Sequence, residues 1–471
     1  MGNLPAHPRF GRRDFLHVGA LGVMGLTAAE IAEARNAAGS RSVIFIFLTG
    51  GLAQQESFDM KPLATPGIRG EFMPIATATP GIEICEHLPL LAQRSSHWAL
   101  LRSLTHSNNN HDDSNHLIMA GRSNLPPGFK PKPYESADNY PSMNALVNYS
   151  VPGRGHLPSS VQLPTYMERS GQLAGQLGSQ YDQWIIHARA KCLAFGPCPN
   201  CFEHEADKNA THKHTTFPVF QSLNLDLPES LTLDRMTRRQ DLLSIVEGRQ
   251  RILDATAQTV KFNRFQESAM ALLTSPTTRA AFDIDRESPE TQERYGRDLF
   301  GWSLLLARRL VEAGVNMVQV NLGRESTWDT HSNSFPNLKD RLLPPMDRSV
   351  SALLDDLQER GLLDETFVVL AGEFGRTPHV SGGGTKASPS PGRDHWGAVQ
   401  TAMFFGGGVR GGQVIGSSDA HAAYPRANPK TPEELAATIY HALEIPATAQ
   451  WYDAAARPHA IYNGDPIREL F

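Results

Sequence analysis

Ser42–Leu48 reads SVIFIFL and runs directly into Thr49-Gly50-Gly51. A short continuous apolar run, rich in β-branched and aromatic residues, predicts a strand buried on both faces rather than one that alternates core and solvent. The two glycines mark a loop at its carboxyl end. The same grammar recurs twice. Residues 315–322 (VNMVQVNL) follow a helix-patterned segment, 297–313, whose Leu299, Trp302, Leu306 and Leu310 share one face, with Gly314 as the C-cap residue. Residues 366–371 (TFVVLA) follow a second helical segment, 339–360, closed by Gly361. Helix, glycine, apolar strand and polar loop in repetition predict an α/β fold, with a mostly parallel central sheet sandwiched by helices. Residues 398–405 predict a further strand. Residues 431–443 predict a late helix with Thr431 as N-cap and Pro432 in its first turn.

Around this frame, 471 residues with 40% hydrophobic and 20% charged composition fit one α/β domain over 41–471 carrying insertions. The expected insertions are a Pro-rich loop at about 122–141, a Cys- and His-rich stretch at about 190–217 and a Gly/Ser/Pro-rich stretch at 376–393, mobile before a ligand binds. Helical patterns at 231–273 are expected to pack on the flank. A net charge of −5 offers no broad basic surface, so nucleic acid is not an expected partner.

At the N-terminus, Gly11-Arg12-Arg13-Asp14-Phe15-Leu16 opens a short Gly-containing apolar stretch, 18–29, with the character of a signal h-region. It resembles a twin-arginine export signal, giving a signal segment over 1–40 and a periplasmic or cell-surface protein. Residues 30–40 hold no clean cleavage site, so membrane anchoring through an uncleaved signal stays open. Of the four cysteines, Cys85 stands alone, and Cys192, Cys198 and Cys201 cluster in CLAFGPCPNC. That cluster reads either as a disulfide staple or, with His204 or His212, as a zinc knuckle. It lacks the histidine of a haem-attachment motif.

In open parallel sheets, ligands bind beyond the carboxyl ends of the strands. That rule gathers three distant segments: STWDTHSN (326–333) with Asp329 and His331, AGEFGRTP (371–378) with Glu373 and Arg376, and GRDHW (392–396) with Arg393, Asp394 and His395. Carboxylates and imidazoles suit a divalent cation (Zn, Mn, Mg or Ca), and none of these loops contains cysteine. The adjacency of Asp394 and His395 leaves open which binds and which supports. A second polar cluster, THSNNNHDDSNHLIMAGR (105–122), offers His106, His111, Asp112, Asp113 and His116 as a substrate-facing loop with optional metal ligands. A third patch, His204, Glu205, His212 and His214, reads as surface or incidental metal affinity. Arg376 and Arg393 carry guanidinium forks suited to an oxyanion beside a cation, which points to phosphate or sulfate esters.

TGG after the first strand, SFDMKP (57–62), RGEF (69–72), LLLARRLVEAGV (304–315), WDTH, EFGRTP, GRDHW and GGGVRGG (406–412) together resemble the exported proteins grouped as domain of unknown function family 1501. That family is similar in turn to the alkaline phosphatase and sulfatase superfamily. The resemblance implies a mostly parallel sheet between helices with a divalent-metal site at the strand ends. It implies metal ligation by Asp329 and His331, places Glu373 where the superfamily has an Asp-His-Gly segment, and makes His395 its late histidine. This chain departs from the pattern at the first strand, where Thr49-Gly50-Gly51 replaces the superfamily's aspartate. It departs again at Leu52-Ala53-Gln54, where many family members carry a Ser-His pair. Ala53 cannot be a nucleophile, which leaves Ser57 or a metal-activated water, with Glu56 and Asp59 the other polar groups there. No C-x-P-x-R stretch is present for a formylglycine. The expected function is an exported metal-dependent hydrolase of phosphate or sulfate esters, acting on a small-molecule or glycan ester. Ser57, Arg376 and Arg393 are its expected catalytic residues, and Asp329, His331, Glu373, Asp394 and His395 its expected ligands for one or two ions. The alternative is a non-catalytic exported anion- or glycan-binding protein that retains the fold.

Overall fold

A computed structural model describes residues 41–154, 157–187, 189–191, 219–221, 238, 276–323, 326–381 and 391–471. Among the described residues, eight strands form one sheet: β1 (Ser42–Leu48), β2 (Trp98–Leu104), β3 (Ser160–Leu163), β4 (Trp184–Ile185), β5 (Met317–Asn321), β6 (Thr366–Gly372), β7 (Gln400–Phe405) and β8 (Gln413–Ile415). Their spatial order is β8-β2-β7-β6-β1-β5-β3-β4. The first apolar run is central, paired in parallel with β6 (Ile44 opposite Val368) and with β5 (Ile44 opposite Val318). β3 pairs in parallel with β5 and β4, and β8 in parallel with β2.

β7 alone runs the other way, antiparallel to both β6 and β2. A strand was expected at 398–405, but a continuous apolar run satisfies a ladder in either direction, and its direction is set by the neighbours it meets. The consequence of the reversal is positional. The segment preceding β7, with His395, lies at the same edge of the sheet as the segments that follow β1, β2, β5 and β6.

Continuous apolarity in β1 is explained by two covered faces. Ile44, Ile46 and Leu48 join one core cluster with helices Leu299–Glu312 and Leu343–Glu359, while Val43, Phe45 and Phe47 join another with helices His111–Ala120, Met143–Ser150 and Pro432–Ala442. We number these helices in chain order α1 (His111–Ala120), α2 (Met143–Ser150), α3 (Leu299–Glu312), α4 (Leu343–Glu359) and α5 (Pro432–Ala442). The sandwich is therefore as expected. In α3, Leu299, Trp302, Leu306 and Leu310 are all buried, and Gly314 follows the C-cap Ala313 with φ +106. The helix expected over 339–360 is regular over Leu343–Glu359, with Pro344 and Pro345 in its first turn where no N–H partner is needed, and a short helix, Ser334–Asn337, and a wider turn, Leu338–Leu342, run into it without a break. α5 opens with Thr431 and Glu434 in a reciprocal capping box and Pro432 in its first turn.

Residues 122–141 contain neither helix nor strand. Cys85 is a buried free thiol, pushed up to about 12 chiefly by burial. The signal-like segment 1–40, Cys192, Cys198 and Cys201, the patch His204, Glu205, His212 and His214, nearly all of the helical patterns at 231–273 and residues 382–390 lie outside the described residues. No helix among the described residues is long and apolar enough to cross a membrane.

Candidate metal centre

Four segments converge at the carboxyl edge of the sheet. β5 leads into Asp329 and His331, β6 ends at Gly372 just before Glu373, and the residues before β7 bring His395. β2 leads through His106 to His111, the first residue of α1. α1 starts there because the Asn110 side chain accepts from the Asp112 and Asp113 amides, and it ends at Gly121 with φ +59.

At the centre is the Asp329 carboxylate. Its Oδ1 lies 3.0 Å from His331 Nε2, 3.1 Å from His395 Nε2 and 2.7 Å from Arg376 Nη2, and its Oδ2 lies 3.3 Å from His111 Nε2. The other ring nitrogen of each histidine faces outward. His111 Nδ1 lies 2.8 Å from Glu373 Oε1, His331 Nδ1 2.7 Å from Asp394 Oδ1, and His395 Nδ1 2.9 Å from the Asn109 carbonyl. A carbonyl or an ionised carboxylate only accepts, so each Nδ1 carries the proton and donates outward. Each Nε2 faces the Asp329 carboxylate: it donates there while the ring carries a second proton, and offers an inward lone pair once that proton is displaced. His331 Nε2 and His395 Nε2 are only 2.9 Å apart, so at most one proton lies between them. Phe374 lies beneath the cluster, 5.0 Å from the His111 ring and 4.5 Å from the His395 ring.

Burial would raise the Asp329 carboxyl, but hydrogen bonds from the three imidazoles and the Arg376 charge hold it well below the usual carboxylate range. Burial opposes charge on His111, yet Asp329 and Glu373 pull it up to about 9. His331 is raised as well, first by its hydrogen bond to Asp329. Without a metal ion, Arg376 and added protons are the positive charges that relieve this convergence of acceptors. His111, Asp329 and His395 present ligand atoms all within 4.8 Å of one another.

Of the expected site residues, Asp329, His331 and His395 meet around this centre, and Asp394 and Glu373 stand one bond further out, each on a histidine. Ser57, Arg376 and Arg393 are placed differently. The Ser57 hydroxyl donates to Ala53 O at 2.7 Å and is fully buried. Arg376, at 0% exposure, donates to the carbonyls of Gly51, Arg393, Gly50 and Trp328 besides Asp329. Arg393, also at 0%, is paired with Glu56 through Nε and Nη2 and donates to the carbonyls of Ile68, Thr377 and Pro378. Both forks expected to hold an oxyanion therefore hold the protein instead, since every guanidinium nitrogen already has an acceptor.

His111 stood in the sequence only as an optional ligand in a polar loop. The cue that separates it from His116 is the N-cap asparagine just before it, which puts it at a helix start facing the sheet edge. His116, five positions on, is buried against the Phe129 and Tyr140 rings and lowered to about 4 by burial.

Over residues 40–471 the chain matches the family described as "Protein of unknown function (DUF1501)". No curated protein matches it. Among solved structures it is similar to Ps i-CgsB, at 10% identity over 86% of this chain and 72% of that chain, with a TM-score of 0.39. It is similar to the PsFucS1 sulfatase from Pseudoalteromonas sp., at 12% identity over 97% of this chain and 79% of that one, with a TM-score of 0.37. It is also similar to alkaline phosphatase from the Antarctic bacterium TAB5, at 11% identity over 86% and 99%, with a TM-score of 0.35.

Proposed function

This chain belongs to the DUF1501 family, and from that premise we propose that it is an exported, metal-dependent hydrolase of phosphate or sulfate esters whose cation is held by His111, Asp329, His331 and His395. One observation supports this above all. Three imidazoles, each with Nδ1–H donated outward, turn Nε2 on a single carboxylate, so that displacing the inner ring protons leaves three nitrogens and a carboxylate oxygen facing one point where a cation can replace them. A donor set of three nitrogens and one carboxylate fits a borderline ion such as zinc better than magnesium or calcium, which prefer oxygen throughout. Such an ion, when bound, supplies Lewis-acid polarisation of an ester oxygen.

The protein's own residues set the approach. Arg376 keeps Asp329 ionised and oriented. Asp394, 61% exposed, steers the ring of His331, 40% exposed, and these two mark where the centre opens to solvent and where an ester enters. Because Ser57 is tied to Ala53, water rather than a side chain is the attacking group in this reading. A small-molecule or glycan ester is the proposed substrate, and export by the twin-arginine route, read from residues 11–16, belongs to the same proposal.

To test it, the protein is purified without added metal, its divalent ions are counted, and aryl phosphates and sulfates are assayed beside Asp329→Ala. About one ion per chain and hydrolysis that disappears in the variant are expected; no ion, with equal activity in both proteins, overturns the reading. The commitment of Ser57, Arg376 and Arg393 favours a second reading, a cation-bearing protein that binds an anionic glycan or phosphate without turnover. Equilibrium binding with no product formed on the same sample distinguishes it.

A further inference from the structure

Glu373 was expected to bind metal, and its surroundings assign it other work. Its side chain is fully buried, with Oε1 2.8 Å from the Gly50 amide and 2.8 Å from His111 Nδ1, and Oε2 3.0 Å from the same amide. Its carbonyl accepts from His106 Nε2 at 2.6 Å, and the other nitrogen of that ring accepts from the Asn108 amide at 3.2 Å. Glu373 is thus pinned through side chain and main chain to two other segments, the end of β1 and the stretch from His106 to His111. Oε1, already accepting two N–H groups, has both its lone pairs in use. Gly50 makes the arrangement possible. Its φ is +107, and a Cβ there would come within 2.5 Å of the Asp329 amide nitrogen. The end of β1 therefore offers a backbone donor where a side chain has no room.

We propose that Glu373 is a positioning residue and not a ligand: it fixes His111 as the Nδ1–H tautomer and ties that ring to the end of β1, so that Nε2 is delivered to the cation as a lone pair. This rests on the cation site proposed above and narrows it to one ion.

The test uses the full chain, stripped and reloaded with cobalt(II) or zinc, as wild type, Glu373→Gln and Asp329→Asn. Wild type is expected to bind one ion. Glu373→Gln is expected to keep that stoichiometry and the intensity of the cobalt absorption bands, which report ligand number, while binding roughly ten- to a hundredfold more weakly in chelator competition. Loss of the ion in Glu373→Gln, as in Asp329→Asn, or a cobalt spectrum of altered coordination number, would make Glu373 a ligand and overturn the proposal. Binding as tight as wild type overturns it as well, leaving the cation site itself standing. Wild type that binds neither ion overturns both. Should Glu373→Gln not fold, imidazole nitrogen NMR of the zinc-loaded wild type decides: His111 ligated through Nε2 with a proton on Nδ1 is expected, and ligation through Nδ1 is fatal.

Discussion

Two charge clusters, one among the helices on a face of the sheet and one at the carboxyl edge of its strands, are built on opposite principles. On the helical side, Arg308 is wholly buried, yet its three nitrogens lie 2.7 Å from Glu287, 2.5 Å from Glu312 and 2.8 Å from Asp356. Asp356 accepts further from the Tyr295 hydroxyl at 2.9 Å and from Arg360 at 2.8 Å. Donors and acceptors alternate there, and each charge is answered within the chain. At the strand ends, Asp329 has one fixed cation, Arg376, while three imidazole nitrogens face it and answer it only as long as they carry an added proton. The first cluster is complete as folded. The second is complete only when something positive, a metal ion or extra protons, joins it, and that is the physical difference between an ion network that holds a fold and one that holds a ligand.

Substitutions at the two central aspartates break the comparison most sharply. Asp329→Asn should weaken zinc binding on the order of ten-thousandfold, about 5.5 kcal/mol, while costing the chelator-treated protein only the part of its stability that Asp329 gives His111 and Arg376; chelator competition and thermal melts measure the two effects on one sample. Asp356→Ala should do the reverse, costing about 3–5 kcal/mol of stability by leaving buried Arg308 short of a partner, with ion content unchanged. If each variant lost both properties equally, the two clusters would not differ in kind.

Acidity sharpens the contrast in the metal-free protein. His111 is raised from its ordinary value to about 9. A group whose folded value is raised contributes stability fully at pH below its unfolded value, near 6.5, and loses it as pH climbs through the folded value. Metal-free protein should therefore lose up to about 3 kcal/mol between pH 6.5 and 9 from this residue. Denaturant melts across that window should be flatter for His111→Asn, and parallel curves would count against the electrostatic account. The smallest effect is expected at the rim. Asp394→Asn, at an exposed site, should weaken the ion by roughly tenfold, about 1.4 kcal/mol, through a less firmly held His331.

Much of this centre was legible before folding. Asp329, His331 and His395 were found because polar loops after apolar runs have few reasons to carry carboxylate and imidazole together. Their convergence also needs His111, which its own polar loop marks only as an optional ligand. His111 follows β2, a strand that was not recognised, and reaches Asp329 across 218 positions of chain. Arg376 and Arg393 stand beside candidate ligands in sequence, which made them look substrate-facing. Their complete burial depends on carbonyls from Gly50, Trp328, Ile68 and Pro378, groups that carry no signature in a sequence.

What the chain determined by itself was local: continuous apolar strands, helices with their caps, glycines where φ turns positive, and which loops carry imidazole and carboxylate. Pattern and propensity act over a few residues, so they settle such features alone. Tertiary structure decided which edges meet and in which direction strands run. An apolar run pairs equally well either way, and only the reversal of β7 carries His395 to the edge where Asp329 waits. Whether a buried charge is satisfied is likewise a property of the assembled neighbourhood, because the atoms that answer it come from segments hundreds of residues apart.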